Sequence, residues 1–291
     1  MEQTDFGTWV RQQLGCRVQK LAVDGGFTCP NRDGHLSTGG CTFCSNAAFS
    51  PRYCPPGRSV TQQLEDGKRF FARKYKDMKY LAYFQAYTGT YAPVDRLRAL
   101  YEEALAVPDV VGLVVATRPD CVPPEVMALL EELNRRTFLI VEYGLESVSE
   151  ETLCRIRRGH TFAQAEQAVR DTAGRGIRVG AHIILGFPWE GRGELLRQAD
   201  VLARLPLTTL KLHQLQVVRG TPMAREYARC PWPVWTAEEY VDIVAAYLSR
   251  LPAHWVLERL ISMSPRHLVV APCWGLKSHE FAALLAQRGL S

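Results

Sequence analysis

No stretch of about 18 consecutive apolar residues occurs in this 291-residue chain, so no membrane-spanning helix and no membrane partner are expected. Its first residues, MEQTDFGTWVRQQLG, lack the charged, apolar and small-residue sections of a secretory signal, which makes the cytoplasm the expected location. A strong excess of one charge is missing as well. The formal net charge of +5 and the pI near 8.7 fall short of a dedicated nucleic-acid-binding domain, although they permit contact with RNA. The densest basic stretch, Lys68, Arg69, Arg73, Lys74, Lys76 and Lys79, has helical spacing and reads as a solvated helix face. Neither a repeat of about 20–50 residues nor a Ser/Gly linker divides the chain. No Gly-x-Gly-x-x-Gly turn follows the first strand candidate, which counts against a Rossmann-type methyltransferase.

Close cysteine pairs are scarce too. Nine cysteines, an odd count, are spread over a chain long enough to bury a core without staples, so a disulfide framework is not expected. Present instead is one loop, CPNRDGHLSTGGCTFC, that holds Cys29, Cys41 and Cys44. Its Gly, Pro, Asn and Ser content opposes regular packing and leaves the thiols free to converge on one metal centre. Three thiolates can hold a four-iron cluster and leave its fourth iron without a protein ligand. A zinc site with Cys54 or His35 as the fourth ligand is the alternative, although zinc ligands usually come as two close pairs and only Cys41 and Cys44 form one. Cys16, Cys121, Cys154, Cys230 and Cys273 lack ligand spacing and read as small hydrophobes, so a single cluster is expected.

Strand-like apolar runs at 18–23, 80–85, 110–116, 138–143, 179–185 and 209–217 alternate with helical patterns. Val94, Leu97, Tyr101, Ala104 and Leu105 share one helical face over 94–107, and Val126, Leu129, Leu130 and Leu133 do so over 125–133. Ser59 with Gln62, Thr161 with Gln164 and Thr236 with Glu239 have the form of a capping box, which satisfies first-turn N–H groups. Strands alternating with helices pair in parallel, so the pattern predicts an α/β fold, a partial open (β/α)6 barrel of TIM-like type that falls short of the closed form. Composition shifts at CPWPVW, 230–235. Residues 1–229 are read as the barrel core with its lead-in and cluster loop. Residues 230–291 are read as a short C-terminal α/β extension packed on the barrel, with a helix over 237–251 and a strand-like run over 255–261.

In parallel α/β sheets functional groups collect where strands end. Gln85, Thr88 and Thr90 follow the second run, Thr117, Arg118 and Asp120 the third, Glu142 and Glu146 the fourth, while His182 lies in the fifth and Lys211, His213 and Gln214 in the sixth. All would face one mouth, where the cysteine loop also opens. Lys211 and His213 alternate with Leu210 and Leu212 and so share one strand face. Two basic groups facing a barrel interior are costly unless they meet a carboxylate or a substrate.

The three cysteines ending in Cys-x-x-Cys, with Phe43 beside the last, ahead of a partial (β/α)6 barrel, resemble the radical S-adenosylmethionine (SAM) superfamily. The gap of eleven residues between Cys29 and Cys41 exceeds that of the commonest pattern and resembles the elongator-catalytic-subunit-like branch. The segments VDGGFTCPNRDG, GGCTFC, YFQAYTGTYAP, TRPDC, VEYGLES, GAHIILGFPWE, LKLHQLQVVRGTPM and APCWGLK are similar to the bacterial YhcC/YtqA-like radical SAM family.

That resemblance implies a 4Fe-4S cluster on Cys29, Cys41 and Cys44, with SAM on the open iron, cleaved by an electron to a 5′-deoxyadenosyl radical that acts on a substrate. Phe43, Thr88, Thr90, Thr117, Arg118, Asp120, Glu142, Ile184 and Gly186 are the implied SAM-binding residues. Relatives carry Gly-Gly-Glu where Thr88 to Thr90 here read Thr-Gly-Thr, and the Arg118 and Asp120 pair serves equally as a structural bridge. Lys211, His213 and His182 are the catalytic candidates, with Lys211 and His213, on their shared strand face, the first choice for substrate or SAM-carboxylate contacts. The substrate class stays open among RNA, a small molecule and a protein, with reduced flavodoxin or a ferredoxin-type protein as electron donor. Arg259, Trp274 and Lys277 are expected to close the mouth over substrate. The competing reading is a non-catalytic interaction protein with a zinc or iron–sulfur site.

Overall fold

The computed structural model describes residues 3–51, 53–55, 57–72 and 77–289. Strands β1 (Val18–Val23), β2 (Lys79–Phe84), β3 (Val110–Thr117), β4 (Phe138–Glu146), β5 (Arg178–Leu185) and β6 (Thr209–Gln214) stand in chain order, each parallel to the next. A two-residue strand, β7 (Val217–Val218), leaves this sheet. The next, β8 (Val256–Arg259), returns to it and pairs in parallel with β6 as a seventh strand. A third short strand, β9 (Val269–Ala271), pairs with β7 in an antiparallel ribbon. The strand-like run of the C-terminal segment is therefore part of the barrel sheet.

The sheet curls without closing. Lys20 Nζ on β1 lies 2.5 Å from Glu258 Oε2 on β8, so the first and last strands face each other across the interior, yet they share no ladder. The N-terminal segment bridges the open seam at one end, where Leu257 N donates to Thr4 O at 3.0 Å. It continues into α1 (Phe6–Leu14), capped by Asp5.

Alternation along the strands separates two layers. Outward-facing Leu21, Phe84, Leu113, Val141 and Ile183 pack beneath α2 (Val60–Ala72), α3 (Val94–Ala106), α4 (Pro124–Asn134), α6 (Phe162–Gly174) and α7 (Arg192–Leu202) as part of one continuous core, whereas α5 (Glu150–Arg155) places Leu153 in a separate cluster with Ile184 and Phe187. Inward-facing Leu81, Val114, Phe138 and Ile140 meet Val10 of α1, with Trp9 packed alongside, which plugs the lower end of the barrel. After β7 come α8 (Pro222–Arg229), α9 (Ala237–Leu248) and α10 (Ser278–Ala286). Thr161 and Thr236 both form reciprocal capping boxes, as their spacing predicts, and Ser59 and Gln62 bond each other's backbone N–H in the same way.

The basic stretch is divided by the fold. Lys68 pairs with Glu65 at 3.0 Å and Arg69 with Asp66 on α2, whereas Lys79 opens β2 and pairs with Asp109 at 2.6 Å. Arg73, Lys74 and Lys76 lie outside the described residues. Among the described residues, no helix is long and apolar enough to cross a membrane.

Two glycines make room inside the barrel. A Cβ on Gly180 would lie 2.5 Å from Thr209 Oγ1 and 3.0 Å from Glu142 Cγ, so its absence leaves the space that the Glu142 side chain fills. On Gly112 it would stand 2.2 Å from the backbone oxygen of Phe138, which the sheet holds in place. Gly112→Val is accordingly expected to cost about 3 kcal/mol through overpacking between β3 and β4, read as a lowered urea midpoint with an unchanged slope.

Candidate active site

Above the apolar plug the inward-facing residues are charged. Glu142 of β4, only 1 % exposed, accepts from Lys20 Nζ at 2.7 Å, from Lys211 Nζ at 2.6 Å and from His182 Nε2 at 3.0 Å. Lys211 also bonds Tyr83 Oη at 2.9 Å and Glu258 at 2.9 Å. Burial alone would raise the Glu142 carboxyl, but the two lysines and His182 hold it well below the usual carboxylate range. For Lys20, burial prevails over both carboxylates and lowers it from its ordinary value. Alternation identifies Lys211 as inward-facing; Lys20, Tyr83 and Glu258 carry the same period-2 signal but escaped the sequence reading.

A cavity of about 180 Å³ lies above this layer, under the cysteine loop, and Cys29, Cys41 and Cys44 all line it. Tight turns set the loop, with Arg32 N donating to Cys29 O at 2.7 Å and Cys44 N to Cys41 O at 3.1 Å. Cys41 Sγ is met by Asn31 Nδ2 at 3.3 Å and by Arg158 Nη1 at 3.6 Å, while Arg32 Nη2 bonds Cys44 O at 3.0 Å. Burial opposes the charge on Arg158, yet Cys41 and Glu146 beside it hold that guanidinium protonated. Burial and the neighbouring Cys41 push the Cys44 thiol up, against Arg32 and Arg158. A donor set of three thiols, ringed by an amide and two guanidiniums, fits an anionic thiolate-ligated cluster.

The zinc arrangement fits less well. Cys54 is buried and donates to Gln63 Oε1 at 2.7 Å, His35 is exposed, and neither lines the cavity.

Of the other residues singled out by sequence, Phe43, Thr88, Thr117, Arg118, His182, Ile184, Lys211 and His213 line the cavity. Thr88 Oγ1 and Arg118 Nη1 are buried there without a protein partner. Arg118 also forks onto Asp120 at 2.7 and 2.9 Å, so the structural bridge exists beside a free donor. Thr90, Asp120, Glu142 and Gly186 do not line the cavity. Thr90 Oγ1 is occupied by Thr117 Oγ1 and Cys121 O, both at 2.5 Å. Glu142 lies one layer deeper. Gly186 takes a positive φ of 104° in the turn after β5, a conformation that favours glycine, and faces Trp235. Trp274 packs on Tyr240 and bonds Trp235 O, and Lys277 precedes α10, so neither reaches the cavity, whereas Arg259 does. Asn31, Arg32 and Arg158 were missed by sequence reasoning, although Asn31 and Arg32 stand inside the cysteine loop.

Burial lowers His160 to about 4, with Arg158 beside it, and drives His213 well below its ordinary value, with Arg259 and His182 adding to the effect. Both rings stay neutral in the folded chain where the unfolded chain takes up a proton. Their contribution to stability is thus complete above about pH 6.5 and is lost as pH falls, for His160 towards about 4. Urea titrations across that window should show falling stability, with a shallower fall in His160→Gln.

The chain is similar to known proteins along most of its length. Residues 31–200 match the Radical SAM superfamily model, and residues 207–288 match the Radical_SAM C-terminal domain. The chain is 41 % identical over 271 residues to "Uncharacterized protein YtqA" of Bacillus subtilis, covering 93 % of this chain and 84 % of that one. It is 36 % identical over 270 residues to "Protein YhcC" of Escherichia coli, covering 92 % and 86 %. The solved structure of Elp3 from the archaeon Methanocaldococcus infernus shares the fold, with a TM-score of 0.68 at 16 % identity, over 94 % of this chain and 64 % of that one.

Proposed function

The chain belongs to the radical SAM superfamily, and from that premise we propose that it is an enzyme that reductively cleaves S-adenosylmethionine at a 4Fe-4S cluster held by Cys29, Cys41 and Cys44. When bound, the cluster and SAM together supply a 5′-deoxyadenosyl radical that abstracts hydrogen from a substrate. The observation that carries this reading is the meeting of three cysteines with two unpartnered buried polar atoms, Thr88 Oγ1 and Arg118 Nη1, on the wall of one cavity.

Each residue has work to do there. Asn31 and Arg158 offset thiolate charge on Cys41, and Arg32 braces the Cys44 backbone. Thr88, Thr117 and Arg118 would hold the polar ends of SAM, with Phe43 and Ile184 as its apolar walls. Lys211, His182 and His213 lie below, on the side where substrate would sit, and the plugged barrel keeps bulk water from that end. We take 1–229 as the core and 230–291 as the segment that completes it, in a cytoplasmic protein supplied with electrons by flavodoxin or a ferredoxin-type donor. A non-catalytic metal-binding module would leave the buried donors without a role.

The test is anaerobic reconstitution, followed by iron, sulfide and zinc analysis and a search for 5′-deoxyadenosine after adding dithionite and SAM. Brown protein with about four irons that forms the nucleoside is expected. Colourless protein carrying one zinc and leaving SAM intact would overturn the reading.

A further inference from the structure

The basic groups on the cavity wall can be accounted for one by one. Arg32 bonds the Cys44 carbonyl, Arg118 forks onto Asp120, and Arg158 bonds Gly144 O and Cys41 Sγ with Glu146 at 3.7 Å. Lys211 is paired with Glu142 and Glu258, His182 bonds Glu142 at 3.0 Å, and His213 faces Ser262 Oγ at 2.7 Å. Arg259 is different. Half-buried at the end of β8, where its backbone pairs with β6, it has no hydrogen-bond or ion-pair partner for its guanidinium among the described residues. Its chain neighbour Glu258 is already committed to Lys20 and Lys211.

Arg259 lies where the first cavity adjoins a second that opens beside β1 and β8, and Tyr83, Gln85 and Phe49 line both. Five residues on, Ser264 lines the first cavity with its Oγ buried and unpartnered. A guanidinium and a hydroxyl on one wall segment, both unbonded, are costly to desolvate unless a ligand bonds them. The planar fork of arginine matches the two oxygens of a carboxylate or phosphate. Among the carboxylates nearby, Glu142 and Glu258 are ion-paired to lysines.

We propose that Arg259, with Ser264, seats an oxyanion group, carboxylate or phosphate, of the molecule on which the barrel acts. The substrate is thereby placed in the class of anion-bearing molecules, with Arg259 as its specificity-determining residue. This rests on the proposed function only for the word substrate, because the anion site itself needs no turnover.

Reconstituted protein is titrated by calorimetry with inorganic phosphate and, separately, with succinate, in the presence of saturating SAM so that the amino-acid end of SAM does not compete. One of the two anions is expected to bind, and its identity names the chemical source. Arg259→Gln should weaken that binding on the order of tenfold, with partial recovery in Arg259→Lys, as loss of a charged hydrogen-bonding group implies. Ser264→Ala should weaken the same anion to a smaller extent, and it serves as the second variant if Arg259→Gln does not fold. Thermal midpoints of each variant report folding. Absence of binding by the unaltered protein, or equal binding by the folded Arg259→Gln and Ser264→Ala proteins, overturns the inference. Failure of the radical SAM reading appears separately, as no 5′-deoxyadenosine from the unaltered protein, and leaves the titration readable.

Discussion

Cys41→Ala is expected to abolish both the brown chromophore and 5′-deoxyadenosine formation, whereas Cys54→Ala keeps both. The two thiols are each buried, so burial alone does not separate them. Their partners do. Cys41 Sγ receives Asn31 and Arg158, donors that stabilise a thiolate, and it lines the cavity with Cys29 and Cys44. Cys54 donates to Gln63, and burial pushes its thiol up to about 11, the environment of an inert structural thiol. Removing one of three ligands leaves two irons without a protein ligand, so the cluster is lost and the cleavage with it. Iron and sulfide analysis with nucleoside quantitation reads both variants. Retention of a full cluster in Cys41→Ala would exclude the assigned ligand set.

Glu142→Gln is expected to destabilise the fold by about 3–5 kcal/mol, the range for breaking a buried ion pair from one side. Its carboxylate is shared by Lys20, Lys211 and His182, and the substitution leaves Glu258 alone to face two buried ammonium groups. The dependence on pH has a definite sign. Because the folded-state carboxyl is held well below the usual range, its contribution is present above its unfolded value of 4.5 and is lost as pH falls below that. Denaturant titrations of both proteins from neutral to acid pH should therefore converge towards the acid end. A parallel pair of curves would mean that Glu142 is not the anion of this layer.

Much of the barrel is legible in the sequence because parallel strands carry their signal locally, as apolar runs between capped helices. The cysteine loop is legible for a similar reason, since its composition forbids regular structure while its thiols recur at ligand spacing. The charged layer is only half legible. Alternation places Lys211 and His213 on one face, but Lys20 and Glu258, which complete that layer, are joined by a bond across 238 positions of sequence. Arg158, which meets Cys41 across 117 positions, escapes the same way. Thr90 and Asp120 show the opposite effect. They sit where strand ends predict functional groups, yet bonds to Cys121 O, 31 positions away, and to Arg118, two positions away, engage them. Strand-end position identifies a neighbourhood, and hydrogen-bond competition decides which side chains stay available.

The Lys20 to Glu258 contact also bears on how the chain is made. At a synthesis rate of about 5–20 residues per second, the 238 positions between them take roughly 12 to 48 s to emerge. During that interval β1 can pair with β2, but the lysine inside the growing barrel lacks one of its two counter-ions and the seventh strand has no existence. The interior can be sealed only after β8 is released from the ribosome.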